Sequence, residues 1–405
     1  MQYCSSTSVL HTANLPTMYK RKILKELQTL SKEFRIITVL GPRQAGKTTL
    51  CKIAFPDYRY VSLEDPDTRA YATDDPRGFL NEYRKKVILD EVQRVPHLLS
   101  YIQTIVDEDN LKAQFILTGS HQLELGEAIS QSLAGRTALL TLLPLSIEEL
   151  NQEQSVDSNN LNAYLLDGSM PGKHADKIST ARFYRSYFQT YIERDVRLII
   201  NLKDTAKFEK FVRLCAGRVG QLVNQASLAN DIGVSAHTIS DWLSVLEASF
   251  VIYRLQPYYE NIGKRLIKSP KLYFVDTGLA AWLMGIENNI QMQRDPLRGH
   301  LFENFIVIET LKAKLNQGKD PRLFFFRDSL GNEVDLIIQS GSKLLPIEIK
   351  SSQTWHSSFL KGINYFKKLL GERAEKGIIV YGGDANRTTS NYRLRSYKTF
   401  TGSLK

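Results

Sequence analysis

The sequence predicts an α/β fold, with a parallel sheet in the N-terminal part, helices in the middle and a second α/β region at the C-terminal end. Between residues 34 and 119, apolar runs such as "RIITVL", "KKVILD" and "AQFILTG" alternate with segments of helical spacing. Continuous apolar strands separated by helices are typical of a parallel sheet that is buried on both faces. From about residue 176 to 250 the pattern is helical, and from Asp295 onward strands and helices alternate again.

Length and composition are those of an ordinary globular chain with several domains. It has 405 residues, 42% of them hydrophobic and 24% charged, and this length predicts roughly two to four domains. No run approaches the ~20 apolar residues of a membrane-spanning helix, and the N-terminus lacks the apolar core of a secretory signal. We therefore expect a cytoplasmic protein. Three scattered cysteines predict neither a disulfide framework nor a zinc site.

The formal net charge of +10 favours a polyanionic partner, with nucleic acid first. A generally basic protein without such a partner is the alternative.

The stretch "GPRQAGKT" has the spacing of a loop that binds the phosphates of a nucleotide. It follows an apolar strand and precedes a helix-permissive segment, which is the context that such a loop requires. The backbone N–H groups of the loop can turn towards phosphate oxygens, and the helix N-terminus adds partial positive charge. Lys47 is expected at the β- and γ-phosphates of ATP, and the Thr48 hydroxyl on Mg²⁺. The predicted nucleotide-binding residues of this loop are Gly41, Pro42, Arg43, Gln44, Ala45, Gly46, Lys47, Thr48 and Thr49.

The strand "KKVILDE" ends in two carboxylates about 40 residues after the loop. We expect Asp90 to hold Mg²⁺ and Glu91 to act as the general base on the attacking water. A later strand, "FILTGS", ends in Thr118 and Ser120, which are candidates for sensing the γ-phosphate or the water. A polar strand end without such a role is the alternative for these two residues. Together with the loop, these strands predict a P-loop NTPase sheet.

An arginine that stabilises the transition state from a neighbouring subunit is expected in "SLAGR", at Arg136. Arg194 and Arg197 in "YIERDVR" are competing candidates. Each of these arginines could instead be a surface ion-pair partner.

The segment "ASLANDIGVSAHTISDWLSVLEA" predicts two short helices around Gly233, the arrangement of a helix-turn-helix. A hairpin that would form a wing follows it. The second helix carries Asp241 and Glu247 and no Lys or Arg, which opposes phosphate contact. The hairpin does carry basic residues, and these favour wing-led contact with a DNA backbone. Packing or oligomerisation is the alternative use of this winged helix. The basic residues are Lys264, Arg265, Lys268 and Lys271.

Near the C-terminus, "NEVDLIIQSGSKLLPIEIK" predicts a hairpin in which Asp335 lies on one strand and Glu348 and Lys350 lie on the other. Residues two apart in a strand share a face, so Glu348 and Lys350 project together. Two carboxylates and an ammonium could bind Mg²⁺ and stabilise charge on an attacked phosphate. Glu303, on the preceding helix, could add a metal ligand. A cross-strand salt bridge that does not cut is the alternative.

Two family resemblances follow from these motifs. The fragments "GPRQAGKTTL", "VILDEVQRVPHLL", "FILTGS", "SLAGR", "PLSIEEL" and "YIERDV", in this order, resemble a prokaryotic group of AAA+-type ATPases with a C-terminal domain of unknown function. This resemblance implies ATP binding, hydrolysis and assembly into a homo-oligomer. The D…ExK pattern after a Glu-bearing helix resembles the PD-(D/E)xK nuclease fold over about residues 295 to 384. That resemblance implies catalytic roles for Asp335, Glu348 and Lys350.

The predicted organisation has four parts: 1–17 as a flexible N-terminus, 18–150 as the P-loop ATPase domain, 151–290 as a helical and winged-helix region, and 291–405 as a nuclease-like domain. The predicted function is Mg²⁺-dependent ATP hydrolysis coupled to action on DNA, with cleavage by the C-terminal domain as an open part of it. The alternative is an ATP-gated protein-interaction switch whose nuclease-like domain is inactive. A signal-transduction ATPase of the STAND type, in which a winged helix also follows a P-loop, is a further alternative.

Overall fold

The computed structural model describes residues 19–120, 131–153, 155–157, 160–196, 204–259 and 268–404. In this part of the chain Cys51 and Cys215 are buried free thiols. None of its helices combines the length and the apolar character needed to cross a membrane.

The N-terminal sheet has five strands, all parallel, in the order β2-β3-β4-β1-β5. Because β1, β3 and β4 are buried along their whole length, their apolar runs have no polar face. The carboxyl ends of all five strands lie at one edge, and the phosphate-binding loop follows β1 there. The strands are β1 Ile36–Leu40, β2 Arg59–Ser62, β3 Val87–Asp90, β4 Phe115–Gly119 and β5 Thr137–Thr141.

Six α-helices lie wholly within the described residues, before β1, between the strands and after β5, and side-chain caps fix where several of them begin. Asp65 and Asp75 accept hydrogen bonds from the backbone N–H groups of Thr68 and Gly78, and a proline follows each cap. Ser146 and Glu149 form a reciprocal capping box. The helices are α1 Leu24–Glu33, α2 Lys47–Ala54, α3 Pro66–Asp74, α4 Pro76–Glu82, α5 Leu98–Asp109 and α6 Ile147–Gln152.

The middle region is helical, as the pattern predicts. Its helix-turn-helix consists of α11 and α12, joined at Gly233, whose φ of +80° ends the first helix in the left-handed conformation that glycine favours. A π-helical segment, Phe188–Val196, continues α9. The helices are α7 Leu161–Asp167, α8 Pro171–Ala175, α9 Thr180–Tyr187, α10 Thr205–Ala216, α11 Gln225–Ile232 and α12 Ala236–Ala248.

A second sheet of eight strands lies in the C-terminal half, in the order β12-β13-β11-β10-β9-β8-β6-β7. Helices α15 and α16 pack against it and flank the predicted D…ExK hairpin, β9–β10. The strands are β6 Ile252–Pro257, β7 Lys271–Phe274, β8 Leu323–Arg327, β9 Glu333–Ser340, β10 Lys343–Lys350, β11 Ile378–Tyr381, β12 Arg387–Thr388 and β13 Arg393–Ser396. The helices are α13 Thr277–Leu283, α14 Asn289–Arg294, α15 Arg298–Leu315 and α16 Lys361–Leu370.

The hairpin predicted as a wing, β6–β7, forms one edge of this second sheet. Strand β6 pairs antiparallel with β7 on one side and parallel with β8 on the other, through Gln256 opposite Phe324 and Pro257 opposite Phe325. The predicted hairpin is therefore present, and β6 pairs in addition with a strand of the C-terminal region. Its use as a wing stays a prediction. The sheet spans the predicted boundary at residue 290.

Helix α15 also joins the two halves of the chain. Lys312 and Glu309 on this helix are 4% and 1% exposed and form an ion pair of 2.8 Å. The Lys312 ammonium donates to the carbonyl of Leu145, and Glu309 accepts from the backbone N–H of Ile147. Both backbone groups belong to the segment that follows β5, so the second half of the chain is bonded to the edge of the first sheet.

Candidate functional site

The phosphate-binding loop has the backbone shape that its glycines allow. Gly41, Gln44 and Gly46 have φ values of +155°, +62° and +88°. A Cβ at Gly41 would lie 2.0 Å from the carbonyl oxygen of Leu142, so no larger residue fits there. Gly46 precedes the first residue of α2. The loop therefore ends at a helix N-terminus, where backbone N–H groups are available to an anion.

Lys47 is buried at this loop. Its ammonium donates to the carbonyl oxygens of Gly41 at 3.0 Å and Pro42 at 3.1 Å and lies 3.9 Å from a carboxylate oxygen of Glu91. Burial lowers the pKa of Lys47, although Glu91 and Asp90 oppose this effect. A cation held by carbonyls beside a loop of N–H donors is suited to binding phosphate.

Thr48 and Asp90 meet directly, although they are 42 residues apart in sequence. The Thr48 hydroxyl lies 3.0 Å from Oδ1 of Asp90. Tyr60 donates to Oδ2 of the same carboxylate at 2.8 Å, and Thr118 donates to its Oδ1. A hydroxyl and a carboxylate side by side are hard oxygen ligands of the kind that Mg²⁺ takes next to nucleotide phosphates. The residues present thus fit this cation.

Glu91 follows β3 in a left-handed conformation, with φ +57°. Its N–H donates to the Thr118 hydroxyl at 3.1 Å, and its carboxylate Oε2 accepts from Ser120 at 2.8 Å and from Gln93. The side chain is therefore held from two sides. Gln93 and Tyr60 were not predicted as site residues. Gln93 donates to Glu91 and Tyr60 donates to Asp90, and no sequence motif indicates either hydrogen bond.

Lys47, Thr48, Asp90 and Glu91 face a cavity of about 620 Å³. The loop and the two carboxylates form one wall, and the opposite wall comes from α8 and α9 of the middle region. Arg182 and Tyr187 on α9 line it. Arg21, before α1, also lines it, and its guanidinium bonds to the carbonyl of Ala45 and to Glu149. The predicted loop residues that line the cavity are Arg43, Gln44, Gly46, Lys47, Thr48 and Thr49, and Arg43 is also paired with Glu64.

Arg136 lies away from this cavity. It precedes β5, at the opposite end of the sheet from the loop that follows β1. There it is bonded to Asp107, at 2.6 Å between Nη2 and Oδ2. Arg136 does not line its own subunit's cavity, so its role as an arginine finger stays a prediction about a neighbouring subunit. The side chain of Arg194 and the whole of Arg197 lie outside the described part of the chain.

The D…ExK hairpin brings Asp335, Glu348 and Lys350 together as predicted. The Lys350 ammonium lies 2.7 Å from Oε1 of Glu348 and 3.2 Å from Oδ2 of Asp335. Oδ2 of Asp335 also accepts from the backbone N–H of Ile349 at 2.8 Å. Oε2 of Glu348 is buried and has no hydrogen-bond partner among the described residues. Burial, aided by the charge of Asp335, raises the pKa of Glu348 to about 8.

Glu303 is placed differently from the prediction. Its Oε1 accepts from Lys271 at 2.8 Å and from the Tyr273 hydroxyl at 2.6 Å, and burial raises its pKa. Lys271 also lies 2.5 Å from Glu333. We call Glu303, Glu333, Asp335 and Glu348 the carboxylate cluster. Within the described ranges, no three His, Cys, Asp or Glu side chains are arranged to hold a metal ion, so the predicted ligands Glu303, Asp335 and Glu348 do not form such a group.

Two of the hairpin's basic residues, Lys268 and Lys271, lie in the described part of the chain. Lys271 is 3% exposed and ion-paired, so its predicted contact with a DNA backbone is wrong. Lys268 is exposed, while Lys264 and Arg265 lie outside the described residues. On the predicted recognition helix, α12, Glu247 is paired with Arg254.

Three family descriptions match successive parts of the chain. Residues 33–151 match an AAA domain, residues 158–290 match a domain of unknown function, DUF8612, and residues 298–399 match another, DUF4143. The AAA domain covers the first sheet and the phosphate-binding loop.

The full chain has relatives in bacteria and archaea. An uncharacterized protein of Mycobacterium tuberculosis is 31% identical over 324 residues, which are 79% of this chain and 71% of the relative. An uncharacterized protein of Methanocaldococcus jannaschii is 24% identical over 437 aligned positions, with 94% and 87% covered. Among solved structures, a Walker-type ATPase of Pyrococcus abyssi aligns with a TM-score of 0.43 at 15% identity, over 66% of this chain and 96% of its own. That score carries no functional argument.

Proposed function

Because this chain belongs to the same family as the uncharacterized mycobacterial protein and carries an AAA domain, we propose that it binds and hydrolyses ATP with Mg²⁺. The observation that carries the proposal is the contact between Thr48 and Asp90, with Lys47 and Glu91 beside it at one edge of the sheet. A phosphate-binding loop, a hydroxyl with a carboxylate, and a second carboxylate are the parts that phosphoryl transfer to water requires.

Each of these residues has a proposed role. The backbone of Gly41–Thr49 and the ammonium of Lys47 bind the phosphates, and the Thr48 hydroxyl and Asp90 would hold Mg²⁺. The cation, when bound, neutralises charge on the phosphate oxygens. Glu91 orients the attacking water and accepts its proton. Arg182 faces the cavity from the opposite wall and offers positive charge to the nucleotide there, while Arg21 lies at the loop, bonded to the carbonyl of Ala45 and to Glu149.

The test is a pair of variants that separates binding from hydrolysis. Glu91→Gln keeps the shape of the side chain and removes the base, so we expect unchanged ATP affinity and a loss of turnover of about 10²–10⁴-fold. Lys47→Ala is expected to lose ATP binding itself. Phosphate release and titration with a fluorescent ATP analogue measure the two quantities. Undiminished turnover in Glu91→Gln would remove Glu91 from the role of base.

We propose DNA as the partner on which hydrolysis acts, supported by the net charge of +10. Electrostatic binding of this kind weakens steeply with salt. We expect DNA to stimulate ATP turnover at 50 mM salt and to lose most of this effect at 300 mM.

We also propose a homo-oligomer, supported by the position of Arg136 on the surface, away from its own cavity. If Arg136 acts on the nucleotide of a neighbouring subunit, we expect Arg136→Ala to lower ATP turnover. Mixing native chains with an excess of Arg136→Ala chains is then expected to lower the turnover of the native chains as well.

The second candidate is an ATP-gated protein-interaction switch. It is favoured by the acidic helix α12 and by the burial of Lys271, which remove two of the surfaces expected to contact DNA. Turnover that does not respond to DNA at any salt concentration would support this candidate.

Nuclease activity is predicted by the D…ExK resemblance, but the ion pairs in the carboxylate cluster give it little support. Its direct test is cleavage of plasmid DNA with Mg²⁺ or Mn²⁺ by the native chain and by Asp335→Ala.

A further inference from the structure

Lys271 is a buried cation in the middle of the carboxylate cluster. Its ammonium lies 2.8 Å from Glu303 and 2.5 Å from Glu333. The ring of Phe325 lies 5.5 Å from the same nitrogen, on the apolar side. Tyr273, two residues further along the same strand face, donates to Glu303 as well. An ammonium between two carboxylates therefore lies where a nuclease-like site with Glu303 as a ligand would need a metal ion.

The backbone holds Lys271 in this place from both sides. Strand β7 pairs with β6, where Lys271 is opposite Leu255, and on its other side Lys271 forms an isolated bridge with Leu222. The neighbouring bonds, from Val223 to Pro270 and from Leu272 to Gln221, are 2.8 and 3.0 Å long. Because strand pairs fix the backbone on both sides, the Cα of Lys271 cannot shift without disrupting the sheet, and the two ion pairs hold its ammonium.

The charges around Lys271 are nearly balanced without a metal ion. The four acids of the cluster face three cations, namely Lys271, Lys350 and an arginine, Arg327, that lies 3.2 Å from Glu333. One oxygen each of Glu303, Asp335 and Glu348 already lies in an ion pair with a lysine, while Oε2 of Glu348 has no hydrogen-bond partner among the described residues. A divalent ion placed among them would be repelled by ammonium groups in a region of low dielectric constant, where like charges interact strongly.

We propose that the Lys271 ammonium takes the place of a divalent cation in the carboxylate cluster, so that the cluster is a closed ion-pair network that binds neither Mg²⁺ nor Mn²⁺. The network ties three elements together, with Lys271 on β7, Glu303 on α15 and Glu333 on β9. This inference concerns the C-terminal half and does not rest on ATP hydrolysis.

Counting bound Mn²⁺ tests the proposal. The experiment uses the full chain without nucleotide, with Asp90→Asn in all samples to weaken the site at Thr48, and electron paramagnetic resonance to measure free Mn²⁺. We expect the chain and its Asp335→Asn variant to bind the same amount. A bound Mn²⁺ that is lost with Asp335→Asn would overturn the proposal.

Removing the lysine gives the complementary result. In Lys271→Met we expect one additional Mn²⁺ per chain, which the parent does not bind, because the uncompensated carboxylates attract it. If this variant does not fold, Lys271→Met with Glu333→Gln removes one charge of each sign and keeps Glu303, Asp335 and Glu348. A folded variant that still binds no additional Mn²⁺ would show that Lys271 is not what excludes the ion.

Discussion

The hydroxyl of Ser120 donates a hydrogen bond of 2.8 Å to Oε2 of Glu91, so the end of strand β4 holds the proposed base at the end of β3. Gln93 donates to the same oxygen, while Oε1 faces Lys47 at 3.9 Å. Both donors bond to the carboxylate itself. Ser120 and Gln93 are therefore positioning residues in this geometry.

Ser120→Ala is expected to lower kcat about tenfold, because the carboxylate loses a neutral donor, and to leave KM within about twofold. Steady-state ATP turnover measures both constants. Ser100→Ala, an exposed serine on α5, is the matched control. Equal kcat in Ser120→Ala and the native chain would mean that Gln93 alone is sufficient to hold Glu91.

Arg182 is expected to bind the nucleotide from helix α9. Its guanidinium lines the cavity opposite the phosphate-binding loop, so Arg182→Ala is expected to raise the Kd for ATP by about tenfold. Arg185 lies on the same helix and is exposed, but does not line the cavity, so Arg185→Ala serves as the control. A Kd that changes equally in both variants would point to net charge and not to contact.

For the buried pair Lys312–Glu309, we expect removal of one partner to cost much stability and removal of both partners to cost much less. Lys312→Met leaves Glu309 as an unpaired buried carboxylate, and we expect a loss of about 3–5 kcal/mol in the free energy of unfolding. Adding Glu309→Gln to this variant is expected to recover a large part of that loss. Urea unfolding of the two variants and the native chain provides the measurement, and no recovery in the double variant would contradict the explanation by charge.

The raised pKa of Glu348 makes the free energy of unfolding depend on pH. Its pKa is raised by burial to about 8, whereas an exposed glutamate in the unfolded chain releases its proton near pH ~4.3. The folded state therefore binds the extra proton between these values, and its stability falls as the pH rises through this window. We expect Glu348→Gln to reduce this fall by roughly 1–3 kcal/mol between pH 5.5 and 8.5. Urea unfolding at the two pH values measures it, with Glu375→Gln as a control.

The phosphate-binding loop and the Asp90–Glu91 pair could be predicted because each is a short local pattern at the end of an apolar strand. Arg21, Tyr60 and Arg182 could not, since each reaches the cavity from an element that is distant in sequence. A local sequence pattern does not indicate which residues from distant elements a side chain will contact in the folded protein.

The pairing of the hairpin with the C-terminal strands could not be predicted for a related reason. An alternating hairpin predicts one pair of strands, but nothing in it says whether its outer edge will find another strand. Here β6 pairs with β8, which lies about 70 residues later in the chain. The one available signal was Lys271 itself, followed two residues later by Tyr273, since residues two apart share a face of the strand. A lysine and a tyrosine on one face of an otherwise apolar run indicate a buried polar partner, which the structure supplies as Glu303.

Helix α15 carries Glu303 at the carboxylate cluster and Lys312 at the edge of the first sheet, nine residues further along. At 1.5 Å per residue these two side chains begin about 13 Å apart on one continuous helix. The attachment at Glu303 is an ion pair with Lys271, whereas the attachment at the first sheet consists of the bonds of Lys312 and Glu309 to the backbone that follows β5. Because one continuous helix carries both attachments, we expect a displacement imposed where β5 ends to reach the second sheet through α15.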